Sequence, residues 1–300
     1  MTQNRGPGAP IEHGFPHLAT VRASITALFR CLSAEGIRAY AASVTPADAA
    51  FDAADDLHLG AQRVASAMVR ALRLPDARIV VAFRPMEQAA TVELAAGPEY
   101  FVEVSDRFRT HRRDLAAALS HEVAHVLLHR LGLSLPGTEE NEILTDTAAV
   151  YLGAGWLLLD AYREDALTHQ KFGYLTPEEF GYVLAKRAAL FGEDPSTWFT
   201  SPQAYEAYVR GRAQAERDHR RPPLAAAGPL ARRRYAKARR TGLAPADGPA
   251  YRFERGDSGP GPGLRVSFPC PVCGQRLRLP VRGRLRARCG LCRTVLDCET

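Results

Sequence analysis

The chain has 300 residues, of which 46% are apolar and 24% charged, a composition typical of a folded globular protein and not of a disordered one. No run approaches the ~18 consecutive apolar residues that a membrane-spanning helix needs, and the N-terminus lacks the basic and then apolar pattern of a secretion signal. We therefore expect a cytoplasmic protein. The net charge of +6 is uneven, because residues 265–300 contain eight arginines and two acids.

Apolar periodicity predicts a mainly helical chain with a few strands. The Gly- and Pro-rich residues 1–18 lack periodicity and predict a flexible arm. Helical spacing then predicts helices at residues 18–40, 54–72, 112–131, 139–162, 177–191, 202–219 and 229–240. Short β-branched or alternating segments predict strands at residues 78–83, 91–94, 99–104, 275–279 and 283–288.

Glycine and proline content separates the two ends of this plan. Residues 241–264 contain ten Gly and Pro residues, a composition typical of a linker. We therefore predict an α+β protein in which a mainly helical domain contains a small sheet and is tethered to a small C-terminal module. The predicted parts are an arm at 1–18, a domain at 19–240, a linker at 241–264 and a small C-terminal module at 265–300.

One pentapeptide, His121-Glu-Val-Ala-His125, has the HExxH pattern of a zinc site. It falls on a predicted helix, where residues four apart share a face, so both imidazoles can reach one metal ion. Glu122 lies beside that face and can reach a metal-bound water. A carboxylate in this place serves as a general base for hydrolysis, since zinc lowers the pKa of the water.

A third ligand is expected on the next predicted helix. His129 is too far along the helix axis to share an ion with His121, and we predict a packing or outer role for it. Glu142 and Asp146 share a face of the following apolar helix, and buried acids need partners. We assign Glu142 as the ligand and Asp146 as the acceptor of the free ring N–H of His121. The competing assignment exchanges the two acids.

These two motifs resemble the gluzincin peptidases, in which an HExxH helix is followed by a helix carrying Asn-Glu-x-x-x-Asp. In this chain the second motif is Asn141-Glu-Ile-Leu-Thr-Asp146, and the resemblance covers about 40 residues. It implies a zinc-dependent peptidase fold and activity. It also implies a role for each matching residue: zinc ligands His121, His125 and Glu142, catalytic base Glu122, and outer aspartate Asp146.

The resemblance further implies two features that lie outside the motifs. An edge strand precedes the HExxH helix in that superfamily and pairs with the substrate backbone, and residues 99–104 occupy the matching place. A later His or Tyr stabilises the oxyanion of the tetrahedral intermediate. His169, Tyr174 and Tyr162 are candidates here, and no motif selects one of them.

Two CxxC pairs predict a second metal site. Cys270 and Cys273 are separated by fifteen residues from Cys289 and Cys292, a spacing typical of a zinc ribbon. Four thiolates leave no open position, so this zinc is expected to be structural. Arginines of the ribbon permit nucleic-acid binding, although no aromatic residue for base stacking lies between the pairs. A protein-docking surface or a merely solvated basic surface is the alternative.

The sequence thus predicts a metallopeptidase-like hydrolase with one catalytic and one structural zinc ion. In this hypothesis Glu122 activates water for cleavage of an amide bond, and the basic ribbon recruits a peptide or protein substrate or another partner. The alternative is a non-catalytic regulatory or binding protein that acts through the ribbon on nucleic acid or protein. Hydrolysis of a non-peptide amide fits the same residues.

Overall fold

The structure, a computed structural model, describes residues 11–165, 169–245, 250–255 and 263–300. The chain divides into two compact units, Met1–Arg212 and Ala213–Thr300. The described residues form helices and small β-sheets, which confirms the predicted α+β class. Of the predicted arm, residues 1–10 lie outside the described residues. The backbone N–H groups of Gly14 and His17 donate to the carboxylates of Glu178 and Glu179, so this end of the arm is bound to the domain.

Helices form most of the first unit. They are α1 (Leu18–Arg38), α2 (Pro46–Ala49), α3 (Leu57–Ala71), α4 (Leu115–Leu131), α5 (Thr138–Tyr151), α6 (Trp156–Asp160) and α7 (Pro177–Phe191), and α8 (Pro202–His219) follows. Most bounds agree with the predicted ones to within a few residues. None of the helices in the described part of the chain combines the length and the apolar character needed to cross a membrane.

The predicted single helix at residues 139–162 is wrong, because the chain breaks between α5 and α6. Gly153 has a φ of 102°, which favours glycine. A Cβ at this position would collide with the carbonyl oxygen of Ala42 and with the guanidinium of Arg187. Arg187 is buried and donates hydrogen bonds to the carbonyls of Tyr40 and Tyr151, the last residue of α5. This break depends on a tertiary contact and leaves no trace in the apolar periodicity.

Three strands of the first unit form a mixed sheet. These strands are β1 (Arg78–Arg84), β2 (Ala90–Val92) and β3 (Glu99–Ser105), in the order β1-β3-β2. β3 is parallel to β1 and antiparallel to β2, so the prediction that residues 99–104 form the edge strand is wrong. Val102 and Val104 of β3 are fully buried, which suits a central strand. The short β2 is the edge strand on the side of the sheet that packs against α4.

The two helices that carry the first pair of motifs lie in the core of the first unit. α4 packs against α3 and α5, and α5 also packs against α1 and α7. Nearly every residue of α4 from Leu115 to Leu128 is buried, and so is α5 from Glu142 onward. Helices that are buried on most sides lack an apolar stripe, and their polar residues must find partners inside the protein. Between α6 and α7 in the chain, β4 (Arg163–Glu164) pairs with β5 (His169–Gln170) in an antiparallel manner.

In the described residues, the second unit contains the C-terminal end of α8, one further helix and five strands. These elements are α9 (Pro229–Thr241), β6 (Arg252–Arg255), β7 (Leu264–Pro269), β8 (Arg276–Pro280), β9 (Arg284–Arg288) and β10 (Val295–Glu299). Strands β6, β7 and β8 form one antiparallel sheet, and β9 pairs with β10. β6 lies inside the predicted linker. A strand forms in this segment because the rings of Tyr251 and Phe253 pack against the ring of Tyr235 of α9, with centroid distances of 4.9 and 5.6 Å.

Candidate metal centre

Two imidazoles and one carboxylate meet between α4 and α5. His121 and His125 lie one turn apart on α4, and Glu142 faces them from α5. The Nε2 atom of His121 is 3.1 Å from Nε2 of His125 and 3.2 Å from Oε2 of Glu142. The same Oε2 atom is 3.4 Å from Nε2 of His125. Ligands of a tetrahedral zinc ion at about 2.0 Å lie about 3.3 Å apart. This triangle therefore has the size of one face of such a site.

Hydrogen bonds at Nδ1 orient both imidazoles. His121 donates its Nδ1–H to Oδ1 of the buried Asp146 at 2.8 Å, as the sequence predicted. The Nδ1 atom of His125 is 3.3 Å from the hydroxyl oxygen of Thr145. That hydroxyl donates its one proton to the carbonyl of Asn141 at 2.9 Å, so it must accept the Nδ1–H of His125. When both rings are neutral, their Nε2 atoms are thereby left as acceptors that face each other.

The charges of the triangle also suit a cation. Burial alone would lower the pKa of His121, but hydrogen bonds to Asp146 and Glu142 raise it well above its ordinary value. Burial alone would raise the pKa of Glu142, but hydrogen bonds to His121 and His125 lower it to about 2. Without a metal, a proton on His121 supplies the positive charge that these buried acceptors require. A neutral His, His and carboxylate set is a donor set that zinc accepts, so these residues fit a zinc ion.

The outer carboxylate is itself held by a loop that the sequence analysis did not identify. The backbone N–H groups of Tyr174 and Leu175 donate to Oδ2 of Asp146 at 2.5 and 3.1 Å. Gly173 has a φ of 74°, and a Cβ there would overlap the Asp146 carboxylate. The Nζ of Lys171 donates to the carbonyls of Gly173 and Leu175. We call residues 171–175 the carboxylate clamp. Its contacts come from backbone groups, which no motif reveals.

Glu122 is buried beside the triangle on α4, with 3% of its surface exposed. Burial raises the pKa of its carboxyl, while the charges of His121 and His125 act in the opposite direction. None of the side chains or backbone groups in the described residues donates a hydrogen bond to this carboxylate. A buried acid without such a donor differs from Asp146, whose two oxygens accept three hydrogen bonds.

The remaining candidates near the two motifs have other roles. His129 is exposed at the end of α4, so the predicted packing or outer role is wrong. The side chain of Asn141 accepts a hydrogen bond from the N–H of Leu135 at 2.8 Å and donates to the carbonyl of Leu135 at 2.6 Å, fixing the turn before α5. Asn141 thus positions the helix that carries Glu142.

The three candidates for oxyanion stabilisation are not selected by the structure either. The hydroxyl of Tyr162 donates to Oε2 of Glu164 at 2.6 Å, and burial together with this hydrogen bond raises its pKa. Nδ1 of His169 lies 3.8 Å from the other oxygen of Glu164. Tyr174 contributes a backbone N–H to the carboxylate clamp. No assignment follows for any of these side chains.

The four ribbon cysteines form a second candidate metal site. Cys270 Sγ is 3.7 Å from Cys292 Sγ, and Cys273 Sγ is 3.6 Å from Cys289 Sγ. Thiolates bound to zinc at about 2.3 Å lie about 3.8 Å apart, whereas disulfide sulfurs lie about 2.0 Å apart. The spacing therefore fits one ion held by four buried sulfurs and excludes two disulfides.

Two similar turns present these sulfurs. In the first turn, the N–H of Gly274 donates to the carbonyl of Cys270, and in the second the N–H of Arg293 donates to the carbonyl of Cys289. The φ angles of Gly274 and Arg293 are 74° and 66°. The strands around the four sulfurs are consistent with the predicted zinc ribbon. In each of the two candidate sites, the potential ligand atoms all lie within 4.8 Å of one another.

A comparison with protein-family models, with curated proteins and with solved structures finds no match to this chain.

Proposed function

We propose that this protein is a zinc-dependent hydrolase of the metallopeptidase type that cleaves amide bonds. The observation that carries the proposal is a three-ligand set with a buried carboxylate, Glu122, beside it. Structural zinc sites use four protein ligands, whereas catalytic sites use three and keep one position for water or substrate. The chain offers both kinds, since the ribbon supplies four cysteines and the helical unit supplies His121, His125 and Glu142.

Each residue of the helical site has a distinct part in this proposal. His121, His125 and Glu142 hold the ion, while Asp146 and Thr145 keep both imidazoles in the tautomer that offers Nε2. A bound zinc ion supplies the acidity that lowers the pKa of water and the positive charge that polarises a carbonyl group. The carboxylate clamp keeps Asp146 in place and thereby maintains the orientation of His121.

Glu122 is the general base. It accepts a proton from the attacking water and returns that proton to the departing amine, so that the carboxylate is regenerated in each turnover. Burial raises its pKa from the ordinary carboxyl value. A base is more effective when its pKa is closer to the working pH, and this shift has the favourable direction.

The edge strand β2 is the proposed place of the substrate. It packs against α4, the helix that carries His121 and Glu122, and it ends the sheet on that side. An extended peptide can add to the edge of a sheet through backbone hydrogen bonds. Such pairing would select an extended polypeptide over a compact amide, which favours a peptide substrate.

The test is a digest of a peptide library by the zinc-loaded protein and by the variant Glu122→Gln. We expect cleavage by the wild type and a loss of at least about 100-fold in the variant, because a general base contributes 10²–10⁴-fold. Zinc content should be unchanged, since Glu122 is not a ligand. Glu139→Gln is the matched control, because it removes an exposed carboxylate from the first turn of α5.

Two results would contradict the proposal. One is cleavage that persists at the wild-type rate in Glu122→Gln. The other is an absence of cleavage by wild-type protein that contains two zinc ions per chain, a number that follows from the two ligand sets.

A further inference from the structure

The sheet of the second unit has one face rich in arginine. In its register Arg252 lies opposite Ser267, which lies opposite Arg278, and residues directly opposite each other point to the same face. The same alternation places Arg265 and Arg276 on that face, together with one acid, Glu254, which lies directly opposite Arg265. We call Arg252, Arg265, Arg276 and Arg278 the arginine face.

The other face of this sheet is apolar and covered. Val266, Phe268 and Leu277 are buried there, and Phe253 packs against Tyr235 of α9. α9 therefore lies on the opposite side of the sheet from the arginine face. Its own exposed arginines consequently belong to a different surface, although they are in the same unit.

Within the described part of the chain, only one arginine of the arginine face has an acidic partner. Arg278 pairs with Glu254 at 2.7 Å, and Arg276 donates to the hydroxyl of Ser267 at 3.1 Å. Among the residues that the structure describes, Arg252, Arg265 and Arg276 form no ion pair. Burial does not explain this, since Arg252 and Arg276 are exposed and Arg265 is half-buried. Unpaired guanidinium groups held side by side repel one another, and an anionic ligand would relieve that repulsion.

The charge of the whole unit adds to this local excess. Residues 213–300 contain 19 basic and 7 acidic residues, a net charge of +12, while residues 1–212 contain 20 basic and 26 acidic residues, a net charge of −6. Four cysteine thiolates with one zinc ion would reduce the first value by about two. Such a contrast within one chain directs a polyanion to the second unit.

We propose that the arginine face binds the phosphate backbone of duplex DNA without reading its base sequence. Residues two apart on a strand lie about 6.8 Å apart and neighbouring strands lie about 4.8 Å apart, so the four guanidinium groups cover one compact patch. Duplex DNA carries one charge per ~1.7 Å of its axis, which offers several phosphates to a patch of that size. Guanidinium groups bind phosphate oxygens in a bidentate manner, and 18 of the 19 basic residues of the unit are arginine.

The chemistry of the face favours this ligand over two others. Proteins that bind single strands stack bases on aromatic side chains. The aromatic side chains Tyr235, Tyr251 and Phe253 are instead packed against one another on the covered side. Interfaces with proteins are enriched in aromatic and apolar residues at their centre. None of the exposed large apolar side chains of the described residues lies on the arginine face. This inference is independent of the proposed hydrolase activity.

The test measures binding of the full-length, zinc-loaded chain to a fluorescein-labelled duplex of about 20 base pairs by fluorescence anisotropy. The salt concentration is varied from about 50 to about 200 mM, a range over which each phosphate contact changes the affinity about 3.5-fold. We expect the logarithm of the affinity to fall with the logarithm of the salt concentration with a slope of about −3 to −4, from three or four phosphate contacts. The double variant Arg265→Gln/Arg276→Gln should bind about tenfold more weakly at low salt and have a slope smaller by about two.

The matched control is Arg233→Gln/Arg240→Gln on α9, which removes the same charge from the same unit but from the other side of the sheet. Equal weakening in this control would overturn the assignment to the arginine face and leave net charge as the cause. Tighter binding of a single strand of the same length would overturn the duplex assignment. Displacement of the duplex by poly-glutamate at equal charge would favour an acidic protein. Zinc content and circular dichroism of each variant establish that it is folded.

Discussion

Replacing Asp146 by Asn should change the tautomer of His121, a proposed zinc ligand, while keeping the shape of the side chain at position 146. In the wild type Oδ1 accepts from His121, and Oδ2 accepts from the N–H groups of Tyr174 and Leu175. The amide of Asn has only one oxygen, and this oxygen must accept the hydrogen bonds from the two backbone N–H groups of the carboxylate clamp. The amide NH₂ then faces Nδ1 of His121, so this atom becomes an acceptor and the proton moves to Nε2, the atom that should bind zinc.

The expected loss follows from these contacts. Outer partners of metal-ligating histidines contribute about 10–100-fold to metal affinity, which is about 1.4–2.8 kcal/mol. To bind zinc through Nε2, His121 must return its proton to Nδ1. The side-chain amide at position 146 must then rotate, and its NH₂ group faces the N–H groups of Tyr174 and Leu175 without an acceptor. We therefore expect a loss of zinc affinity in the upper half of that range. The two amide hydrogen bonds also lose the charge of their acceptor, which lowers the free energy of unfolding by about 1 kcal/mol for each. Zinc affinity is measured by competition with a chromophoric chelator, and the tautomer by nitrogen chemical shifts of the imidazole.

Asp160→Asn provides the control for this prediction. Asp160 is also buried and accepts hydrogen bonds from the N–H groups of Thr200 and Ser201 and from the Thr200 hydroxyl. None of the partners of Asp160 in the described residues is a histidine, so this variant should lose stability and keep its affinity for zinc. The reasoning is refuted if Asp146→Asn binds zinc within twofold of the wild type, or if both variants lose the same affinity.

Three further predictions concern the same site. Gly173→Ala should weaken zinc binding and lower the melting temperature, because the added Cβ would overlap the Asp146 carboxylate. The control is Gly192→Ala, where φ is a similar 71° and no atom lies near the added Cβ. It should cost about 1 kcal/mol of stability and leave zinc affinity unchanged. His121→Ala should reduce the zinc content from two ions per chain to one, measured by atomic absorption; loss of both ions would contradict two independent sites. Because the pKa of His121 in the metal-free chain is raised well above 6.5, its contribution to stability is present below that pH and is lost as the pH rises through the folded-state pKa. At pH 7 zinc must displace this proton, so calorimetry in two buffers should detect about one proton released; none released would mean that His121 is neutral beforehand.

The sequence by itself determined the types of the candidate ligands and their local geometry. His121 and His125 share a face because a helix has 3.6 residues per turn, and the same rule relates Glu142 to Asp146 on the next helix. The spacing of the cysteine pairs specifies tight turns in the same local way. Such predictions succeed because they depend on residues a few positions apart, whose relation is set by the backbone of one element.

Only the tertiary structure decided which elements meet and what surrounds each group. Long-range pairing places β3 at the centre of its sheet and makes β2 the edge strand next to the candidate site. Tyr251 and Phe253 turn part of a Gly- and Pro-rich segment into β6, because α9 offers them an apolar partner in Tyr235. β6 in turn completes the arginine face with Arg252.

The carboxylate clamp illustrates the physical reason for this division. It holds Asp146 with two backbone N–H groups from residues 28 and 29 positions further along the chain. Every residue except proline carries a backbone N–H, so the sequence cannot mark which of them will meet a carboxylate. Packing of α5 against α7 brings Asp146 and the carboxylate clamp together, and the helical patterns of α5 and α7 are compatible with many such arrangements.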